Sequence, residues 1–204
     1  MGLKLVLSPL FHWPVFLFPF LDREKGSDTV KSCYPDKQYT KVTEITIEEL
    51  NALGVKGLIL DIDNTLTVSD HPEVSPEVKQ WLNFLKCHFI KLAVVSNNKR
   101  ERVEPFARKL GIMYFSRSMK PLKKGLRQAQ KMFHLDAAQI AVVGDQIYTD
   151  VLGAKRCGMK ALLVQPIQLE TGTFFRLKRK MERKYVTRFS VQKQEASAEK
   201  REEG

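Results

Sequence analysis

Asp61 and Asp63, one residue apart in the run Asp61-Ile62-Asp63-Asn64-Thr65, are the first residues in this chain whose types and spacing could do chemistry. Other polar clusters share their setting. Ser96-Asn97-Asn98 follows an apolar run ending at Val95, Gly144-Asp145 follows Ile140 to Val143 with Asp150 shortly after, and Lys120 lies between them. Carboxylates brought together repel one another unless a cation joins them, and an oxygen-rich set of this kind suits Mg²⁺. A carboxylate beside such an ion can attack phosphorus, and a second one two residues later can serve the leaving group as an acid. Asp61 and Asp63 fit those roles. The hydroxyl of Ser96, neighbouring backbone N–H groups and the cation of Lys120 can hold phosphoryl oxygens and offset their growing charge. Taken singly each piece is weak: a DxD pair is commonly a turn or cap, Ser-Asn-Asn a helix N-cap, Lys120 a surface lysine, and Gly144-Asp145 a turn. Their shared position after strands is what makes the set specific.

The elements that must position these residues alternate short apolar strands with amphipathic helices, the pattern of a parallel sheet wrapped on both faces. Thr46-Ile47-Glu48-Glu49 has the form of a capping box, and Leu50 and Leu53 continue a short helix closed by Gly54. Gly57 to Leu60 reads as the strand entering Asp61. Ser75-Pro76 opens a helix with Val78, Trp81, Leu82 and Leu85 on one face, followed by a strand from Ile90 to Val95. Val103, Phe106, Ala107 and Leu110 repeat the helical spacing up to Gly111, and a short strand runs from Ile112 to Phe115. Lys120-Pro121 opens a further helix ending near His134, Ile140 to Val143 is a strand, and Ala161 to Val164 is the last strand, after a helix ending near Gly158. In such doubly wound α/β sheets ligands bind outside the carboxyl ends of the strands, so the polar clusters should converge. The expected organisation is an apolar extension and linker at 1–43, an α/β domain at 44–168, and a basic helix with a frayed tail at 169–204. Regular structure is expected to begin only after residue 43.

Composition sets the outer limits. The 204 residues are 43% hydrophobic and 28% charged, with nine prolines and eleven glycines, which excludes collagen-like, disordered and polytopic membrane classes. Cys33, Cys87 and Cys157 are widely spaced and form no CxxC, so neither a disulfide framework nor a zinc finger is indicated and a reducing cytoplasm fits. The four histidines lack metal-binding spacing. The formal charge of +11 favours a polyanionic partner: nucleic acid, anionic lipid or a phosphorylated substrate. Residues 1–20 are apolar and aromatic, yet Pro9, Pro14 and Pro19 would break a spanning helix, and no signal-peptide cleavage site follows. Interfacial attachment, a strand or loop over the core, and an over-called start all remain open for them.

The chain from about 55 to 165 resembles the haloacid dehalogenase (HAD) superfamily of phosphohydrolases. Asp61-Ile62-Asp63-Asn64-Thr65 corresponds to its first motif, Ser96 to the second, Lys120 to the third, and Gly144-Asp145 through Asp150 to the fourth. Through LDIDNTL, VVSNN, KP and VVGDQIYTDVLGAKRCGM it is most similar to subfamily IIIA, the bacterial YqeG-like phosphatases related to mitochondrial phosphatidylglycerophosphate phosphatase. That resemblance implies a HAD-like Rossmannoid fold, an aspartyl-phosphate on Asp61, and Asp63 as general acid and base. It also implies Mg²⁺ held by the Asp61 carboxylate, the Asp63 backbone carbonyl and Asp145, with Asp150 in support. Ser96, Lys120 and, more weakly, Asn97 would bind the phosphoryl group, while Thr65 and Gly144 would support the loops. Asp at 63 points to a phosphatase.

The intervals from Asp61 to Ser96 and from Lys120 to Asp145 are filled by one helix and one strand each, leaving no space for a cap domain. In the superfamily such caps enclose small metabolites, so an uncapped relative is expected to take a bulky or surface-bound ester such as a phospholipid headgroup. The stretch from Phe174 to Tyr185 mixes Phe174, Leu177, Met181 and Tyr185 with Arg176, Lys178, Arg179, Lys180, Arg183 and Lys184. It suits peripheral contact with an anionic membrane at its inner face, suits RNA, and equally suits a solvated basic helix. The leading expectation is a Mg²⁺-dependent phosphatase acting on phosphatidylglycerophosphate. Its alternatives are a phosphatase for a nucleotide, sugar phosphate or phosphoprotein, and an RNA- or ribosome-associated binding protein.

Overall fold

A computed structural model of the chain describes residues 33–168. Residues 1–32 and 169–204, with the expectations attached to the apolar extension and the basic tail, lie outside the described part. Six strands form one fully parallel sheet: β1 (Lys37–Tyr39), β2 (Gly57–Leu60), β3 (Lys91–Val95), β4 (Met113–Phe115), β5 (Ile140–Gly144) and β6 (Lys160–Val164), in the order β1-β6-β5-β2-β3-β4. The helices are α1 (Ile47–Ala52), α2 (Pro76–Cys87), α3 (Arg100–Leu110), α4 (Lys123–Phe133) and α5 (Leu152–Arg156). None of them is long and apolar enough to cross a membrane.

Strands buried on both faces read as continuous apolar runs, and β2, β3, β5 and β6 do so. On one face Leu58, Leu60, Leu92, Val94 and Val143 pack in a single cluster with Leu50 of α1, Trp81, Leu82 and Leu85 of α2, and Val103 and Phe106 of α3. Gly125 of α4 lies against Val95, and Gly153 of α5 against Leu126 of α4, which closes the opposite face. The helix starts follow from local chemistry. Thr46 and Glu49 form the reciprocal capping box of α1, Ser75 accepts a hydrogen bond from the Val78 N–H with Pro76 at the first turn of α2, and Gly111 ends α3 at φ 60°. Trp81 donates its indole N–H to the Ile45 carbonyl at 2.9 Å, satisfying the polar end of a large buried ring.

Two features depart from the sequence reading. Strand β1 lies within the stretch expected to be a polar linker, pairing with β6 in the register Lys37 to Leu162 and Tyr39 to Val164. Its anchor is Asp36, whose carboxylate accepts from the Ala161 N–H at 2.7 Å and pairs with Lys155 at 2.7 Å. The helix expected to open at Lys120-Pro121 begins instead at Lys123. Residues 119–122 form a turn in which the Leu122 N–H donates to the Met119 carbonyl at 2.9 Å, and the Lys120–Pro121 peptide is cis.

Chain order reverses at the sheet centre, where β2 lies between β3, which follows it, and β5, which arrives after the crossover. This is the topological switch point at which open α/β sheets bind ligands. Leu60 is level with Val143 of β5 and Val94 of β3, so Asp61, Ser96 and Asp145 emerge at one sheet end within about a residue of each other. Only the 61–75 loop and α2 separate β2 from β3, and only α4 and a short 3₁₀ turn separate the Lys120 loop from β5. No cap domain is inserted in either interval.

Helix α4 holds the Lys120 loop through a close approach at Gly125, where an added Cβ would stand 2.5 Å from the Ser118 Cβ and 3.2 Å from Val95. Alanine gains about 1 kcal/mol in helix propensity over glycine, yet overpacking of this kind costs about 1–3 kcal/mol and is expected to win. Gly125→Ala should therefore lower the urea midpoint with an unchanged m-value; a midpoint at or above wild type would contradict the contact.

Candidate active site

Lys120 carries its ammonium into the interior and is only 2% exposed. Its Nζ lies 2.6 Å from Asp150 Oδ1 and 2.9 Å from Asp61 Oδ1, so one cation bridges the ends of the loops after β2 and β5. Asp61 is reached from β2, with its N–H donating to the Val143 carbonyl at 3.0 Å. Asp150 sits on a wide helical turn, Ile147–Val151, that returns it towards β5. Its second oxygen accepts from the Gln146 N–H and the Thr149 hydroxyl, each at 3.2 Å. Gly144 makes this return possible, because a Cβ there would fall 2.2 Å from the Asp150 carboxyl carbon. Asp145 is buried, and its Oδ1 accepts from the Thr65 hydroxyl at 3.4 Å.

Asp61, Asp145 and Asp150 are all buried and each offers an oxygen within 4.8 Å of the others. Three carboxylates are thus crowded into a space sheltered from water, with Lys120 bridging two of them. The electrostatics carry the mark of this crowding. Burial pushes the Asp61 carboxyl up from 3.8 to about 6, with Lys120 opposing and Asp150 adding to the rise. Burial by itself would lower the Lys120 ammonium, but Asp150 and Asp61 outweigh it and hold its pKa above the ordinary lysine value. An all-oxygen donor set of three buried carboxylates this close together fits a hard divalent cation.

Asp63 stands apart from this cluster. The Asn64 backbone at φ 61° turns the chain so that Asn64 N–H donates to the Thr67 carbonyl at 2.7 Å, and Asp63 projects toward α3. There its Oδ1 accepts from Arg102 at 2.8 Å and from the Asp70 N–H at 3.2 Å, while Oδ2 accepts from the side-chain amide of Asn98. Ser96 is buried at the end of β3, and its hydroxyl accepts from the Asn98 N–H at 3.2 Å. Asn97, which the sequence places among the phosphate-binding residues, commits its side chain to the neighbouring loop. Its Oδ1 accepts from the Lys120 N–H at 2.6 Å and the Ser118 hydroxyl at 2.9 Å, and its Nδ2 donates to the Lys120 carbonyl at 3.1 Å. An amide offers a donor and an acceptor side by side, which matches the two backbone groups of one residue. Asn97 therefore braces the lysine.

A family model for haloacid dehalogenase-like hydrolases matches residues 40–158. The chain belongs to that hydrolase family. This hydrolase is 37% identical over 153 residues to a protein of Bacillus subtilis (strain 168) named "Probable phosphatase YqeG", covering 75% of this chain and 89% of the relative. It is 31% identical over 127 residues to the chloroplastic phosphatidylglycerophosphate phosphatase 1 of Chlamydomonas reinhardtii, covering 58% of this chain and 47% of that one, about half its length. The cobalt-bound deoxy-D-mannose-octulosonate 8-phosphate phosphatase YrbI of Haemophilus influenzae superposes with a TM-score of 0.47 at 19% identity, over 68% of this chain and 93% of that one. This member of the family is a phosphatase.

The sequence singled out neither Arg102 nor Asn98 as partners of Asp63. Asn98 adjoins Ser96 and is findable from that cluster, but Arg102 is one basic residue among several on an amphipathic helix, and only the fold selects it.

The raised Asp61 carboxyl has a measurable consequence. Its folded pKa of about 6 exceeds the ordinary 3.8, so ionisation opposes folding above pH 6, and this penalty fades as the pH falls through 6 and is gone below 3.8. In EDTA, Asp61→Asn should thus be more stable than wild type at pH 7 and equal to it near pH 4. Mg²⁺ should raise the urea midpoint of wild type far more than that of Asp61→Asn. Equal stabilities at pH 7 in EDTA would contradict the crowded-carboxylate account.

Proposed function

We propose that this phosphatase hydrolyses a phosphomonoester through an aspartyl-phosphate on Asp61, and that its substrate is a phospholipid headgroup, phosphatidylglycerophosphate being converted to phosphatidylglycerol. The observation that carries the chemistry is the convergence of Asp61, Asp145, Asp150 and Lys120 at the carboxyl end of the sheet, with Ser96 and Asp63 on adjacent loops.

Asp61, beside the fixed ammonium of Lys120, attacks phosphorus as the bond to the alcohol oxygen breaks. Asp63 gives its proton to that leaving oxygen, then takes one from the water that attacks the aspartyl-phosphate. The phosphorus–Asp61 bond breaks, inorganic phosphate leaves, and both carboxyls return to their starting forms. Lys120 and the Ser96 hydroxyl hold the equatorial phosphoryl oxygens, and Asn97 keeps Lys120 in place from behind. Arg102 and Asn98 engage Asp63 in the structure, so its proton transfer requires the carboxyl to turn from them toward the phosphoryl group. The Asp61 carboxylate, the Asp63 main-chain carbonyl and Asp145 would hold Mg²⁺, with Asp150 behind them. When bound, the ion neutralises the charge shared by the carboxylates and the phosphoryl group.

The lipid reading is supported by the similarity to a named phosphatidylglycerophosphate phosphatase and by strand connections too short to carry a cap domain. The test is phosphate release from phosphatidylglycerophosphate in mixed micelles, beside a panel of soluble phosphomonoesters, with Mg²⁺ and with EDTA. Wild type should prefer the lipid and lose activity in EDTA; Asp61→Asn should be inactive while retaining its circular dichroism spectrum. Asp63→Asn should turn over about 10²–10⁴-fold more slowly. Turnover confined to soluble esters would sink the lipid assignment and keep the chemistry, and an active Asp61→Asn would sink the mechanism.

A further inference from the structure

The loop that delivers Lys120 runs on into α4 against local preference at several consecutive positions. Met119 adopts φ 56°, a left-handed conformation that favours Gly or Asn, and its side chain is 60% exposed. Leu122 occupies the N-cap of α4, where Ser, Thr, Asp or Asn would accept a hydrogen bond from the first turn; it makes none and is 42% exposed. Lys123 and Lys124, both exposed, fill the first helical positions, where the helix dipole disfavours cations and where no acidic residue is present. Arg117, exposed and at φ 48°, precedes them. Flexibility does not account for this shape. The Arg117 N–H donates to the Asn98 carbonyl at 2.8 Å, the Ser118 N–H to the Ser96 carbonyl at 3.0 Å, and the clamp from Asn97 fixes residue 120.

Two outward apolar side chains and three outward cations are thus displayed on a braced loop at the rim of the active site. Among the described residues their side chains make no hydrogen bond or ion pair, and Lys123 acts only through space, on Cys157. Apolar tips among basic groups match a surface whose phosphates are outermost and whose hydrocarbon lies just beneath. We propose that residues 117–124 form a docking surface for an anionic lipid bilayer. Met119 and Leu122 enter the headgroup region, and Arg117, Lys123 and Lys124 meet lipid phosphates. This deepens the lipid-substrate reading and rests on it, because the same loop carries the phosphate-binding Lys120 and seats the site over the membrane.

The experiment compares full-length wild type with Met119→Asn/Leu122→Ser, a pair that satisfies the local preferences and should fold at least as stably. Co-sedimentation uses vesicles of phosphatidylcholine alone and of phosphatidylcholine with phosphatidylglycerol, neither containing substrate. Wild type should sediment with the anionic vesicles only. The double variant should partition at least about tenfold more weakly and keep wild-type turnover of p-nitrophenyl phosphate. Lys123→Gln/Lys124→Gln should weaken partitioning in the same direction, in a salt-dependent way. Equal sedimentation of wild type and both variants, indifference of wild type to anionic vesicles, or a vesicle-free dimer that the double variant abolishes would each overturn the docking surface. Turnover of phosphatidylglycerophosphate in detergent micelles reports on the substrate separately, so a lipid phosphatase that does not dock and a docking protein with another substrate give different results.

Discussion

The ammonium of Lys120, held between Asp61 and Asp150 with almost no access to water, is the interaction around which the rest of the active site is arranged. An isolated buried charge is expensive, and a buried pair is tolerated only when its geometry is good and the remaining valences are met. Each neighbouring feature meets one of those conditions. Gly144 leaves the space into which Asp150 folds, and the Gln146 N–H and Thr149 hydroxyl occupy its second oxygen. Asn97 ties down both backbone groups of Lys120, while Gly125 lets α4 come close enough to press the lysine loop against β3. Removing any of these would loosen the lysine, and a lysine free to leave would expose two facing carboxylates to each other.

This constraint also explains why the fold is ordinary and the site is not. The parallel sheet supplies strand ends at one level, which is all that Asp61, Ser96 and Asp145 require. Everything beyond those ends bends away from regular structure: the tight turn at Asn64, the wide helical turn carrying Asp150, and the braced loop from Arg117 to Leu122. Irregular backbone is concentrated where side chains of like charge must be brought together, and the core beneath is close to a repetition of apolar strand and amphipathic helix.

Much of this was legible in the residues, for reasons that can be named. Strands buried on both sides announce themselves as apolar runs, so β2, β3, β5 and β6 are readable, and the polar residue after β2, β3 and β5 is readable as part of the candidate site. The cap of α1 is a two-residue code spelled out by Thr46 and Glu49. Strand β1 escapes such reading because Lys-Gln-Tyr has no apolar run; it is a strand because Asp36 grips the backbone of Ala161, a partner far away in sequence. The task of Asn97 was equally hidden, since the Lys120 backbone meets it only through the fold. The ion pair of Arg102 with Asp63 depends on how α3 packs across the loop after β2, which no local pattern encodes. In each case the missing information was a tertiary contact, and in each case the residue types were compatible with several others.

In the mechanism proposed above, Asp61, Lys120, Asp145 and Asp150 address only the phosphoryl group that every phosphomonoester shares, so they would not confer selectivity. It has to come from whatever meets the rest of the ester, and with no cap inserted between the strands that surface is the rim formed by the loops themselves. The rim is also where local preferences are disobeyed a second time. Within the site, three acids are held closer than their charges favour; at the rim, a methionine takes a left-handed backbone and a leucine takes an N-cap, both facing water. The same physical logic applies to both departures. An unfavourable local arrangement persists when contacts elsewhere in the fold hold it, as Lys120 does for the acids and the Asn97 and Asn98 contacts do for the rim loop; under the proposals above, a cation with a phosphoryl group, and an anionic surface, would relieve each of them further. The two lie on one continuous path, since the loop that ends in Leu122 is the loop that positions Lys120, and the stiffness that holds the lysine is what fixes the exposed side chains in place.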